Sequence, residues 1–528
     1  AVARHFYPNV TQKHGARCLP PCQTWLPRQP EMCSALKLVC VCCLIRWISS
    51  SPNIILIVTD DQDNLKGMHP MSKTMELIGR NGVSFPNTFV STPLCCPSRS
   101  SILTGLYQHN HDTYNNSLSG GCYSAHWRRH VETRTFVNYL RAINYVTFYA
   151  GKYLNEYGKD HSMSNTAQMP TGWDWWAALQ GNSVYYDYNL SINGTWHHYG
   201  HNETSDYLTT VISNMALDFI SSGRERPFFM MLAPPAPHSP RTPERKYKSL
   251  FKNESALRSP NFNVPVGKDK HWLMRQSPSP LRHNEVMFVD EVYRERSRTL
   301  LSVDDMVTNI TTLLRERNIL NNTYILFTSD HGYHLGQFSM PTDKRLPYES
   351  DIRVPLLIRG PGLPQNVTIN DTVMNIDLAP TILEMAGLKP PQWMDGQSLL
   401  PRLRGRGAVT RERFLVEYRG EGAAHTSPGC EARGSQVANC VAEFDCKCQD
   451  SRNNTYSCLR ELSSRKNTLF CQFHDAENYT EFYNLKTDPY QLHNLYWRSC
   501  SKVHREANFQ ALDYFKVCSG ASCHRLGA

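Results

Sequence analysis

The sequence is poor in the features that mark several common protein classes. It has no low-complexity tract and no internal repeat, which leaves an ordinary globular composition. Long apolar runs are missing. The best, Leu36 to Ile48, is broken by Lys37 and Arg46 and is too short to span a bilayer comfortably. No membrane anchor is therefore expected, and the mature chain should be soluble. A nucleic-acid signature is also missing. The 56 basic residues are interspersed with 47 acidic ones, and no basic stripe forms. The net charge of +9 suits a polyanionic ligand without demanding one. No paired His follows Cys446-x-Cys448, which disfavours a zinc site there.

What is present is length and cysteine. A chain of 528 residues buries a large core and predicts two domains. Of its 18 Cys, nine lie between Cys430 and Cys523. That density predicts a disulfide-stapled C-terminal region made in an oxidising compartment, with a pairing that sequence does not decide. Asn-x-Ser/Thr triplets at Asn115, Asn189, Asn193, Asn202, Asn253, Asn309, Asn321, Asn366, Asn370, Asn453 and Asn478 support secretory passage. Residues 1–51, with six Cys, fit no pattern and are left as an unassigned, atypical leader.

From Pro52 a repeated grammar begins. Asn53 to Thr59 is a continuous apolar run, as expected of a strand buried on both faces, and it ends in Asp60-Asp61. Val146 to Ala150 leads to Gly151-Lys152, and Phe228 to Ala233 leads through prolines to His238. Tyr324 to Thr328 leads to Asp330-His331, and Val354 to Ile358 leads to Arg359-Gly360. Helical patterns lie between: Thr135 to Ile143, Tyr207 to Phe219, Tyr293 to Arg317, and Leu378 to Ala386 with Asp377 as N-cap and Gly387 as stop. Alternation of this kind predicts an α/β fold, a mostly parallel sheet sandwiched by helices. Ligands of such sheets sit beyond the carboxyl ends of the strands, where these polar residues fall. After about residue 400 the grammar weakens. We expect a catalytic domain over 52–400 and a smaller Cys-rich α+β domain over 401–528.

One stretch, Cys95-Cys96-Pro97-Ser98-Arg99 through Leu103-Thr104-Gly105, organises the rest. Pro97 suits a first helical turn and Gly105 a stop. Cys95 would then stand at a helix N-terminus, where free N–H groups favour an anion. Arg99 adds a fixed fork for the oxygens of an oxyanion. Asp60 and Asp61 repel each other unless a cation or proton relieves them, and Asp330 supplies a third carboxylate. Such oxygen-rich ligation suits Ca²⁺ or Mg²⁺. Taken singly, an adjacent acid pair, a lone Lys or a lone His is usually solvated or structural.

The Cys-x-Pro-Ser-Arg…Leu-Thr-Gly string resembles the signature of the type I sulfatases. The resemblance implies an alkaline-phosphatase-like fold and oxidation of Cys95 to formylglycine by the formylglycine-generating enzyme. It also implies one Ca²⁺ held by Asp60, Asp61, Asp330 and His331, with the modified Cys95 as a further ligand. Lys152 and Lys344 match the two family lysines that hold sulfate oxygens, beside Arg99. His238 matches the family His near the leaving oxygen, and an ordinary imidazole pKa of about 6.5 suits an acid in an acidic compartment. Two positions depart from the family pattern. His331 stands where many members carry Asn, and Leu154 stands two residues after Lys152 where many carry His. Asn155 is then a candidate for the missing partner of the nucleophile, and His334 a candidate substrate contact.

Further strings resemble one branch, the N-acetylglucosamine-6-sulfatases of heparan and keratan sulfate. They are Thr59–Asp63, Gly151–Gly158, Lys270–Gln276, Met394–Pro401 and Cys518–Cys523. That branch implies a glycosylated lysosomal exo-enzyme acting on sulfated glycosaminoglycan. The alternatives are an extracellular heparan sulfate 6-O-endosulfatase, whose long basic insertion is absent here, an inactive glycan-binding homologue, or a phosphatase of the wider superfamily. Trp272, Arg275, Glu417, Tyr418 and Glu421 are candidate walls of the sugar pocket.

Overall fold

The computed structural model describes residues 51–159, 168–407, 411–422, 427–434, 436–498 and 502–524. The expected leader lies outside them, apart from its last residue, and so does Cys500. Ser51–Ala528 forms one compact unit.

Its frame is a ten-stranded mixed sheet. The strands are β1 (Asn53–Thr59), β2 (Val83–Ser84), β3 (Val146–Lys152), β4 (Trp175–Leu179), β5 (Tyr188–Ile192), β6 (Thr195–Tyr199), β7 (Phe228–Ala233), β8 (Thr323–Ser329), β9 (Leu356–Arg359) and β10 (Val367–Thr368). Their order is β10-β2-β9-β8-β1-β7-β3-β4-β5-β6. The five central strands, β8-β1-β7-β3-β4, run parallel. Ile57 of β1 lies opposite Leu232 on one side and Phe327 on the other. The edges turn antiparallel, with β9 against β8 and β5 against β4.

Alternate β1 side chains enter two cores, which is why its run is apolar throughout. Ile54, Leu56 and Val58 pack with α1 (Cys95–Thr104), α2 (Phe136–Ala142) and α5 (Leu378–Met385). Ile55 and Ile57 pack with α3 (Leu208–Ser221) and α4 (His283–Glu316). Each such side chain contributes about 1.5–3 kcal/mol on burial. Two-sided packing, rather than intrinsic propensity, therefore fixes the sheet.

Three expectations need amending. The Val354–Ile358 run is not one strand of the parallel set. Arg353–Val354 pairs with Thr88–Phe89, and β9 runs antiparallel, so Arg359 lies at the end of the sheet away from the other polar termini. The long helix begins at His283, ten residues before the apolar pattern shows it, because its first turns are half-exposed. Asp377 precedes α5 but makes no side-chain cap. Its carboxylate accepts from the N–H groups of Met374 and Gln397 (2.8 and 2.7 Å) and pairs with Arg411. Gly387, at φ +87°, follows the helix as expected.

The C-terminal part builds an antiparallel sheet of β11 (Arg413–Tyr418), β12 (Tyr456–Leu462), β13 (Asn467–Phe473) and β14 (Thr480–Asn484), in that order. It is backed by α6 (Lys502–Phe515). Phe414, Val416 and Phe470 share a core with Phe89, Val90 and Leu94, just before α1. Disulfides join Cys430–Cys446, Cys440–Cys448, Cys458–Cys471 and Cys518–Cys523, and Cys96–Cys122 staples the loop after α1. Cys446 and Cys448 are thus consumed by disulfides, which removes the zinc reading. No helix among the described residues is long and apolar enough to cross a membrane.

Candidate active site

Four adjacent strands end at one place. β1 runs into Asp60 and Asp61, β3 ends at Lys152, β7 leads to His238, and β8 leads to Asp330 and His331. α1 starts over these ends. Leu94 is extended, Cys95 opens the helix, and Gly105 closes it at φ +72° with its N–H on the Ser101 carbonyl, 2.8 Å away. Cys95 is the one free thiol among the described residues and is fully buried.

The expected side chains converge here. Lys152 Nζ lies 2.7 Å from Asp60 Oδ2, and Lys344 Nζ lies 2.9 Å from both oxygens of Asp61. Arg99 donates from Nε to Asp330 Oδ2 (2.9 Å) and from a terminal nitrogen to the Lys152 carbonyl (3.0 Å). Asp330 Oδ1 accepts from the Asp61 and His331 N–H groups (3.0 and 2.9 Å). His331 Nδ1 donates to the Gly332 carbonyl (2.9 Å), which turns Nε2 toward Cys95 Sγ (3.3 Å) and Asp61 Oδ1 (3.4 Å). His238 Nε2 stands 3.9 Å from Asp61 Oδ2, and its Nδ1 donates to the Ser239 carbonyl at 2.6 Å.

Burial sets the electrostatics. Alone it pushes the Asp60 and Asp61 carboxyls up. Lys152, His238 and Arg99 outweigh it at Asp60, and Lys344, His238 and His331 outweigh it at Asp61, so both are held below the usual range. At Asp330 burial wins over His331 and Arg99, and the carboxyl is pushed up. Burial also raises the Cys95 thiol, but the ammoniums of Lys152 and Lys344 prevail and hold it well below an ordinary thiol. Position 95 therefore sits in a field that favours negative charge.

The residues fit a hard divalent cation. Asp60, Asp61, Cys95 and His238 offer ligand atoms within 4.8 Å of one another, as do Asp60, Cys95, Asp330 and His331. Asp60 Oδ1 is buried without a hydrogen-bond partner among the described residues. The Arg99 guanidinium approaches it only to 3.4 Å. A carboxylate oxygen without a hydrogen bond at that depth is costly, and an ion relieves it. Three carboxylates face three fixed cations, Arg99, Lys152 and Lys344. An added dication leaves a net positive site, suited to a sulfate ester and the charge that grows on it.

The other expected residues make other contacts. His334 pairs with buried Asp351 (3.0 Å) and is absent from the ligand clusters. Leu154 is buried in a core, and Asn155 is held by Asn182 (3.2 Å). Trp272 Nε1 donates to Asp475 (2.9 Å), Arg275 pairs with Glu477, Glu417 with His109 (2.8 Å), and the Tyr418 hydroxyl donates to Asp450 (2.6 Å). Each of the four is thus tied to another side chain, and Glu417 and Tyr418 also line a cavity. Glu421 bridges Arg345 (3.1 Å) to the Asn116 N–H (2.9 Å), and Asn116 Oδ1 accepts from Cys96 N–H (2.9 Å). It thus ties the residue after Lys344 to the start of α1.

Sequence reading missed two contributors. Arg296, buried in α4, donates to the Asp61 carbonyl (2.6 Å) and the Pro237 carbonyl (3.4 Å), fixing both the carboxylate pair and the His238 loop. Its signal was an arginine within the apolar stripe of that helix. Ser183, which donates to Asp60, carries no sequence signal at all.

The comparisons agree with this geometry. The chain is 46% identical over 513 residues to the N-acetylglucosamine-6-sulfatase of Homo sapiens, covering 95% of this chain and 92% of that one. Against its Capra hircus counterpart the identity is 47% over 481 residues, covering 90% and 85%. An extracellular sulfatase SULF-1 homolog of Drosophila melanogaster is 40% identical over 378 residues, 70% of this chain but 33% of that protein. A solved protein in complex with its substrate, D-glucosamine-2-N,6-O-disulfate, shares the fold at TM-score 0.68 and 22% identity, covering 88% and 97%. The phosphonate monoester hydrolase of Agrobacterium radiobacter shares it at TM-score 0.63 and 18% identity, covering 88% and 95%. At these identities the solved chains speak to the fold alone. The Sulfatase family model matches residues 52–388, and with it the chain belongs to the sulfatase family of sulfuric ester hydrolases.

Proposed function

We propose that this chain hydrolyses the 6-O-sulfate ester of N-acetylglucosamine and glucosamine units in heparan and keratan sulfate. The observation that carries the reading is the buried Cys95 at the head of α1, 3.3 Å from His331 Nε2 and among the Asp60 and Asp330 carboxylates. Relatives that carry the N-acetylglucosamine-6-sulfatase name over nearly their whole length support the substrate. The Cys95 sulfur stands for the oxygen of a formylglycine hydrate, made by the formylglycine-generating enzyme. That group, with one Ca²⁺ held by Asp60, Asp61, Asp330, His331 and the modified residue 95, supplies an activated oxygen nucleophile.

The chain's own side chains do the rest. Lys152, Lys344 and Arg99 present their donors to the non-bridging sulfate oxygens and neutralise charge as it develops. The bond from His331 Nδ1 to the Gly332 carbonyl holds the ring with Nε2 toward position 95. His238 uses Nδ1 to hold the Ser239 carbonyl, so its catalytic proton must ride on Nε2. That proton is placed to pass to the departing sugar oxygen. Burial of the whole cluster keeps bulk water from screening these charges. We assign 52–400 as the catalytic part and 401–528 as a part that braces it through Glu421. The compartment is the lysosome, reached by the secretory route.

The test is sulfate release from N-acetylglucosamine 6-sulfate at acidic pH, with the matching 6-phosphate and internal heparan sulfate units as competitors. Release from the terminal monosulfate, lost on chelation and restored by Ca²⁺, supports the reading. Faster phosphate release, or action confined to internal units, refutes it.

A further inference from the structure

A second feature of the chain lies at the far edge of the sheet. β5 and β6 are joined by Asn193-Gly194, both left-handed at φ +48° and +90°. That is the two-residue hairpin turn that Asn-Gly favours. The turn holds the triplet Asn193-Gly194-Thr195 at its exposed tip. Asn193 Oδ1 accepts from the Trp176 N–H (2.9 Å), and the Asn193 N–H returns to the Trp176 carbonyl (2.8 Å). The side chain is thereby oriented through its oxygen. Its Nδ2 has no partner among the described residues.

Beside it is a cleft of about 230 Å³ whose walls include Asn193, Ile192, Trp175, Met215, Phe219 and Arg224. Trp175 is 43% exposed. The Arg224 guanidinium lies over the Phe219 ring, 4.4 Å from its centre, and over the Trp175 ring at 5.3 Å. The result is an open, mostly aromatic shelf with a glycosylatable amide nitrogen in its own wall. The Asn189 triplet on the same hairpin differs. Its Nδ2 is held by Gln180 (2.9 Å), and Ser191 is fully buried.

We propose that Asn193 is N-glycosylated and that its innermost N-acetylglucosamine lies in this cleft, with the apolar face of the sugar against Trp175. Glycosylation replaces one hydrogen of Nδ2 and leaves Oδ1 free to keep the Trp176 bond. The sugar's C–H face meets the negative face of the indole, and its hydroxyls and acetamido group reach Arg224 and Asp218 at the rim. The glycan covers an apolar patch that otherwise meets water. The inference rests on the secretory route proposed above.

The experiment is peptide mass mapping of the full chain from a secreting eukaryotic host, with melting temperatures of the parent and four variants. Thr195→Ala removes the triplet without touching Asn193, and Thr195→Ser keeps it as the folding control. Trp175→Ala removes the shelf, and the double variant closes the cycle. We expect a hexosamine-bearing glycan on the Asn193 peptide. Thr195→Ala should lower the melting temperature by about 2 °C, as for loss of one aromatic contact in a large domain. Thr195→Ser should leave it unchanged, and the loss should vanish in the Trp175→Ala background. A bare Asn193 alongside occupied triplets elsewhere overturns this inference alone, whereas no glycan anywhere overturns the secretory route with it. A shift that is equal with and without Trp175 overturns the seat in the cleft.

Discussion

Two clusters of His and carboxylate in this molecule have similar composition and opposite bookkeeping. Around Asp60, Asp61 and Asp330 the acids are buried, crowd one another, and leave Asp60 Oδ1 without a hydrogen bond among the described residues, the Arg99 guanidinium standing 3.4 Å away. Around His271, Asp475 and Glu477 every carboxylate oxygen accepts a hydrogen bond. Asp475 Oδ2 takes His271 Nε2 and Trp272 Nε1 (2.9 Å each), Asp475 Oδ1 takes the Glu477 and Asn478 N–H groups (3.0 Å each), and Glu477 takes the Trp272 N–H (3.1 Å) and Arg275. The second cluster fastens the Lys270–Gln276 segment to the β13–β14 turn. The first leaves one carboxylate oxygen short of a hydrogen bond and is rich in positive charge around position 95. Residue type does not separate a site from a clasp, but the count of unsatisfied carboxylate oxygens does.

The sharpest way to break the comparison is at position 95. Cys95→Ala removes the nucleophile, and sulfate release should fall by about 10⁴-fold or more, while the melting temperature holds. Lys344→Ala, which strips the partner of Asp61, should lower kcat/KM by about 10²–10³-fold. Asp475→Asn in the other cluster should leave kcat/KM within about two-fold. It should cost about 1–3 kcal/mol of stability by unpairing His271 and Trp272, read by denaturant titration. An activity loss there as large as for Lys344→Ala would erase the distinction.

A smaller effect sharpens it further. Burial pushes Asp450 up to about 7 against the Arg345 guanidinium. Its folded pKa is raised, so the native state holds a proton that the unfolded chain releases above about 4. That stability is full below about pH 4 and is lost as pH rises to about 7. Asp450→Asn does not titrate, so its melting temperature should gain on the parent's between pH 4 and 7. A constant difference across that range would refute the assignment.

How much of this was legible in the sequence follows from the physics of each element. The parallel strands were legible because two-sided burial writes an unbroken apolar run, as in Asn53–Thr59. The site was legible because such strands deliver Asp60, Asp61, Lys152, His238, Asp330 and His331 to one edge. The antiparallel edges were not, because Leu356–Arg359 is as apolar as its parallel neighbours. The fastenings of Trp272, Glu417 and Tyr418 were not legible either. Each partner, Asp475, His109 or Asp450, is distant in sequence and chosen by tertiary packing. Arg296 showed only as an arginine within the apolar stripe of a long helix, a signal that names no partner.

The central claim is that position 95 is an oxidised side chain doing nucleophilic work between an ion and three fixed cations. The most direct measurement is the mass of the peptide containing residue 95 from active protein, taken beside its specific activity. The account predicts an aldehyde in place of the thiol, with activity rising in proportion to the converted fraction. Full desulfation by protein whose residue 95 is an intact thiol would contradict it.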